Sequence, residues 1–433
     1  MKPNHDPFNP CGSSDHFSRR TLLKSLGVAG MSWLTPLADL LAVEAEQNKK
    51  GLPARSVILL WMAGAPSQLD TFDPHPGSKI SGGLGSIPTA IKGVNFAPAM
   101  EQTASVMQDV SLIRSMVSLE GDHERAFYNI KTGYRPNPTL VHPSIGAIIC
   151  HELPDAKIEI PTHVSILPNQ WPGRGGFFGA EYDAFQIGDP DQPVPDVRAP
   201  VAGRRLENRL EGLSVVENAF ARGRRSDLDL KTLHQATMSK ARRLMTSNQL
   251  KAFDVSQVPT AERKAYGDTP FGRGCLAAVR LIEAGVRCVE VTLDGWDTHA
   301  NNLEGQAKQA AILDPAYATL IRELKQRGLL EHTIVVCGGE FGRTPTINVV
   351  AGRDHWPTGF SMLVAGGGFA GGRVVGETDP TGEKKEPANP VRVEDLHTTV
   401  QHLLGLDHTK EIMTPVGRPI ALSEGRVISE LES

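Results

Sequence analysis

Residues 55–62 read RSVILLWM, a short continuous apolar run bounded by Pro53 and Gly64. A run of this length with no polar alternation has no face to offer water, so it reads as a strand buried on both sides. Similar runs follow at 110–114, 162–166, 287–293, 333–337 and 360–364, each ending in Gly, Pro or charged loop residues. Helical patterns separate them at about 122–131, 143–152, 271–284, 303–327 and 394–404. Strands alternating with helices of this length predict βαβ crossovers. The expected fold is therefore α/β: a doubly wound, mainly parallel sheet flanked by helices.

Two segments break that rhythm. Residues 168–198 are dense in Gly, Pro and aromatics (WPGRGGFFGAEYDAF) and read as a surface excursion, a lid or an interface loop. Residues from about 204 to 266 are helical and highly charged, a helical insertion or cap. Its Arg222, Arg224 and Arg225 are interleaved with acids and read as a solvated face. The chain carries 45 Lys plus Arg against 49 Asp plus Glu, a formal charge of −4, and 40% apolar residues. That balance excludes a disordered or polybasic chain and gives no support for nucleic-acid binding. There is no internal repeat, and no C-x-x-C pair among Cys11, Cys150, Cys275, Cys288 and Cys337 to suggest a thiolate zinc knuckle.

The N-terminus has the parts of an export signal. Ser18-Arg19-Arg20-Thr21-Leu22-Leu23-Lys24 precedes a weakly apolar stretch to Leu41 and then the small-residue segment Ala42-Val43-Glu44-Ala45. Paired arginines, a mild hydrophobic region and small residues in this order predict twin-arginine export, with 1–45 as the signal and 46–433 as one mature domain. The predicted location is the periplasm or cell envelope. No later apolar run reaches the length of a membrane span.

In an open α/β sheet, ligands gather beyond the carboxyl ends of strands. After the strand at 287–293 comes Asp294-Gly295-Trp296-Asp297-Thr298-His299-Ala300-Asn301-Asn302. Carboxylates, an imidazole and amides so close together suit a hard or borderline divalent cation, with Asp294 or Asp297 and His299 as ligands. The competing reading is an N-cap cluster for the following helix. After 333–337 comes Gly338-Gly339-Glu340-Phe341-Gly342-Arg343, offering an acceptor and a bidentate anion binder, or a salt bridge that fixes the loop. Asp354 and His355 precede the strand at 360–364, and Asp122, His123 and Glu124 open a helix. Asp70 and Asp73 follow the first strand, where they bind a ligand or order the turn. No G-x-S-x-G elbow, P-loop or Rossmann fingerprint stands at a strand–helix junction.

Read together, WMAGAPSQLDTFDP at 61–74, GDHERAFYNIKTG at 121–133, LDGWDTHANN at 293–302, GGEFGRTP at 338–345 and GRDHWP at 352–357 resemble the bacterial family called domain of unknown function 1501. That family looks like a relative of the alkaline phosphatase and sulfatase superfamily. The resemblance implies an alkaline phosphatase/sulfatase-like sheet with a two-metal site. One half would use Asp294 or Asp297, His299 and a later histidine, His355. In the other half this chain departs from the pattern: Met62-Ala63-Gly64 stands where an aspartate is expected, and Glu340-Phe341 replaces an Asp-His pair. Laying the sulfatase signature on 123–133 puts His123 at the nucleophile position. An imidazole there accepts a phosphoryl group, ligates a metal or acts as general acid.

The leading expectation is an exported metal-dependent hydrolase acting on a phosphate or sulfate ester, with a small anionic ester or a sulfated or phosphorylated glycan as substrate. Asp297, His299 and His355 would hold zinc, calcium or magnesium, with Asp294 as a further candidate; His123 and Glu340 would complete the site, and Arg343 would neutralise the anion. The rival expectation is a non-catalytic envelope protein that uses Trp171, Phe177, Phe178 and Tyr182 to contact carbohydrate, or that binds a protein partner.

Overall fold

The computed structural model of the protein describes residues 54–195, 197, 201, 203–223 and 234–433. The predicted export signal, Arg224 and Arg225 lie outside the described residues. The main strands are β1 (Ser56–Met62), β2 (Val110–Val117), β3 (His163–Ile166), β4 (Phe185–Ile187), β5 (Cys288–Leu293), β6 (Thr333–Gly338), β7 (Phe360–Ala365), β8 (Val374–Val375) and β9 (Val391–Arg392). They form one sheet in the order β8-β2-β7-β6-β1-β5-β3-β4, with β9 also pairing with β2. Pairings of β1 with β5 and β6 and of β3 with β4 and β5 are parallel, as are those of β2 with β8 and β9. β7 alone runs antiparallel to its neighbours β2 and β6. The sheet is thus mixed but mostly parallel, as the alternation of runs predicts.

β1 shows why a continuous apolar run was required. All seven of its residues are buried. Ile58, Leu60 and Met62 pack with helices α5 (Pro270–Glu283) and α6 (Asn302–Gln326), whereas Val57, Leu59 and Trp61 pack against Phe127, Ile149 and Leu396. Those three belong to α1 (His123–Thr132), α2 (Ile145–Glu152) and α7 (Val393–Leu403) on the opposite face. Helices on both faces leave the strand without a wet side. Residues Arg204–Gly223 (α3) and His234–Thr246 (α4) are also helical.

The topology decides where loops meet. β6, β1 and β5 are adjacent and parallel, so the loops after Gly338, Met62 and Leu293 open on one sheet edge. β7 is antiparallel to β6, so the residues before Phe360, including His355, arrive at the same edge. β2 is antiparallel to β7, which brings the segment after Val117 there as well.

The excursion at 168–198 contributes β4, unforeseen in the sequence because Gly and Pro surround a three-residue strand. Its aromatic rings are half-buried and stack on their neighbours: Trp171 on Phe127 with centroids 4.9 Å apart, Phe178 on His151 at 4.2 Å. The four cysteines of the described residues are free and buried. Among the described residues no helix is long and apolar enough to cross a membrane.

Candidate metal centre

His123 is the first residue of α1. Asp122 caps the helix by accepting a hydrogen bond from Arg125 N at 3.2 Å, and Gly133 closes it in the left-handed region at φ 77°. The cap fixes the direction in which His123 leaves the helix. Its Nδ1 meets Glu340 Oε1 at 2.6 Å. Glu340, two residues beyond β6, is fully buried, and its Oε1 also accepts from Gly64 N at 3.1 Å. Burial pushes the Glu340 carboxyl upward. Burial also works to lower His123, but the hydrogen bond and charge of Glu340 outweigh it and the net direction is up.

Asp297, His299 and His355 complete the cluster. His299 Nδ1 meets Asp354 Oδ1 at 3.0 Å, and His355 Nδ1 donates to the Gly121 carbonyl at 2.7 Å. His299 Nε2 lies 2.9 Å from His355 Nε2 and 3.2 Å from Asp297 Oδ1, while His123 Nε2 lies 3.4 Å from Asp297 Oδ2. Partial burial acts to raise Asp297, but Arg343 overrides it, and the carboxyl is held below its usual range. Burial, aided by neighbouring positive charge, lowers the His355 pKa below its ordinary value.

Each of the three histidines therefore commits Nδ1 to an oxygen acceptor. A neutral imidazole so oriented carries its proton on Nδ1 and leaves a bare lone pair on Nε2. The three Nε2 atoms gather around one carboxylate. This oxygen–histidine arrangement is how proteins orient imidazoles toward a metal. Ligand atoms of His123, Asp297 and His355 all lie within 4.8 Å of one another. The buried His123 Nε2 has no hydrogen-bond partner, an orphaned acceptor that a cation would satisfy. On these grounds the residues fit a divalent ion.

The remaining sequence candidates sit differently. Asp294 is exposed, accepts a hydrogen bond from Gly295 N at 2.8 Å, and is not among the converging donors. Glu340 reaches the cluster through His123. Arg343 has no exposed surface: Nε donates to Ala65 O at 2.9 Å, one terminal nitrogen to Arg353 O at 3.1 Å, and the other to Gly64 O and Asp297 Oδ1, each at 2.5 Å. Asp70 accepts from Ser67 Oγ, Asn302 Nδ2 and Arg353 Nε at 2.5, 2.7 and 3.0 Å, tying three loops together. Asp73 is paired with Arg114 at 2.9 Å. Asp297 is not the cap of α6; Asn301 holds that position, in the left-handed conformation.

Sequence reasoning passed over Asn348, whose Nδ2 bridges the His299 carbonyl at 3.0 Å and Asp354 Oδ1 at 3.2 Å. It also passed over Gly64. At φ 103° its missing Cβ would stand 2.5 Å from Asp297 N, so the loops after β1 and β5 touch backbone to backbone. An asparagine and a glycine in loops carry no local signal of this.

The fold and this cluster define a class: an α/β protein with a histidine–aspartate centre at the strand ends of a mostly parallel sheet. Residues 54–431 match the family described as "Protein of unknown function (DUF1501)", and the chain belongs to that family. No curated protein matches the sequence. Among solved structures, the chain is similar to Ps i-CgsB in complex with k-i-k-neocarrahexaose, at 11% identity and TM-score 0.41, covering 82% of this chain and 72% of that one. It is also similar to the lipoteichoic acid synthase LtaP from Listeria monocytogenes, at 9% identity and TM-score 0.38, covering 87% and 76%. A third is the phosphonate monoester hydrolase SpPMH from Silicibacter pomeroyi, at 10% identity and TM-score 0.38, covering 86% and 76%.

Proposed function

We propose that the protein is a metal-dependent hydrolase of phosphate or sulfate esters. The observation that carries this reading is the convergence of three bare Nε2 atoms on Asp297, each imposed by an oxygen on the opposite ring nitrogen. His123, Asp297 and His355 would hold the ion, with His299 as the solvent-side fourth donor. An imidazole-rich donor set favours a borderline ion such as zinc over calcium or magnesium. When bound, the ion would polarise the ester oxygens and lower the pKa of water.

The chain's own residues supply the rest. Glu340 holds His123 in the tautomer that presents Nε2, and Asp354 does the same for His299. Arg343 acts through Asp297, fixing its Oδ1 so that Oδ2 faces His123. With Arg343 buried, the role of neutralising the substrate passes to the metal. Trp171 and Phe178 of the aromatic excursion stack on Phe127 and His151, which gives the carbohydrate-binding rival less support. The twin-arginine sequence supports export of the mature chain to the envelope. The test is hydrolysis of a panel of phosphate, phosphonate and sulfate esters before and after chelation. Turnover that zinc restores is expected; ester turnover indifferent to chelation, or none across the panel in metal-loaded protein, would contradict the reading.

A further inference from the structure

We infer that the centre takes a single divalent cation, and that the guanidinium of Arg343 is the second positive charge, built permanently into the fold. The inference rests on the proposed metal-binding reading of the site and departs from the two-metal arrangement that the superfamily resemblance implies.

A second ion next to Asp297 would need donors from the loop after β1 and from the segment after β6. The loop supplies none from side chains: residues 62–65 are Met, Ala, Gly and Ala. Its carbonyls at Gly64 and Ala65 are instead taken by Arg343, together with the carbonyl of Arg353. These are the acceptors a cation would seek, and a planar fork of donors satisfies them without desolvating an ion. Arg343 is fully buried, and every guanidinium nitrogen has an oxygen partner. It also reaches Asp297 Oδ1 at 2.5 Å, the oxygen that a bridging carboxylate would give to a second metal.

The other acid on this side is no more available. Glu340 is completely buried: its Oε1 faces His123 Nδ1 and Gly64 N, and its Oε2, without a hydrogen-bond partner, is enclosed by the fold. Room is lacking as well: a single added Cβ at Gly64 would fall 2.5 Å from Asp297 N and 3.1 Å from Trp296 N. There the loops after β1 and β5 meet backbone to backbone. Asp297 therefore divides its two oxygens between a fixed organic cation and an exchangeable metal, and chelation removes one of the two charges while leaving the other in place.

The test uses full-length protein stripped by chelation and reloaded with zinc. The count of interest is the number of zinc equivalents that the His123→Ala/His355→Ala variant, checked for folding by circular dichroism, loses relative to the parent. One lost equivalent is expected, together with X-ray absorption fine structure showing nitrogen and oxygen neighbours and no zinc–zinc scattering at about 3.5–4 Å. Two lost equivalents, or a zinc–zinc path at that distance in the parent protein, would overturn the inference and leave the metal-dependent reading standing. No lost equivalent would remove that reading, and the inference with it.

Discussion

His299 Nε2 stands 2.9 Å from His355 Nε2, and each ring has already given its Nδ1 to an oxygen. Two bare nitrogen lone pairs repel at this separation. A proton or a metal ion between them relieves the repulsion, and the carboxylate of Asp297, 3.2 Å from His299 Nε2 and 3.8 Å from His355 Nε2, makes that position attractive to a cation.

Metal binding should be strongly linked to pH. Against the effect of burial, Glu340 holds the proton of His123 to above the ordinary value of 6.5. The imidazolium carries a second proton on Nε2, which a metal must displace, so affinity rises with pH until that proton is lost. Below the raised pKa each pH unit should weaken binding about tenfold for this one competing proton. Competition with a chromophoric chelator at several pH values measures it; a flat profile would contradict the assignment of His123 as a ligand.

Glu340→Gln removes the charge that orients His123 while keeping its volume. Metal affinity should fall about 10–100-fold, the usual cost of losing such a partner, with far-ultraviolet circular dichroism unchanged. Unaltered affinity would place Glu340 outside the metal's support.

Asp70 and Arg353 are both buried and pair at 3.0 Å, joining the loop after β1 to the segment that leads to His355. Asp70→Ala leaves the guanidinium without its counter-charge, a loss of about 3–5 kcal/mol. Denaturant unfolding should show it as a lower midpoint; a shift below about 1 kcal/mol would mean that solvent reaches the pair.

His397 gives the fold an acid-sensitive point away from the metal. It is buried, its Nε2 donates to Ile130 O at 2.9 Å, and burial lowers its pKa from 6.5 to about 4. The unfolded chain takes up the proton first, so this contribution to stability is complete above pH 6.5 and is lost as pH falls toward about 4. The loss should reach up to about 3 kcal/mol, and unfolding of His397→Gln should be correspondingly less acid-sensitive over that interval. Equal pH dependence in both proteins would contradict it.

Much of the architecture was legible because buried parallel strands need uninterrupted apolar runs, and those at 55–62 and 333–337 are unmistakable. β8 and β9, of two residues each, are too short to show any period, so they escaped notice. The loops that carry Asp297, His299 and His355 were found for a similar reason, since polar ligand-type residues directly after or before apolar runs stand out. Depth was not legible. Glu340 and Arg343 in a glycine-rich loop read either as groups facing a ligand or as a salt bridge fixing the loop; both are fully buried, and they pair with His123 and Asp297 rather than with each other. Their burial depends on Gly64 and on a neighbouring strand 276 residues away in sequence, contacts that no local pattern encodes.

The proposed function stands or falls on whether His123, Asp297, His299 and His355 together hold a metal. Elemental analysis of purified protein and of a folded His299→Ala/His355→Ala variant tests it most directly. A stoichiometric divalent metal is expected in the former and its loss in the latter; the same metal content in both proteins would rule out a site built from these residues.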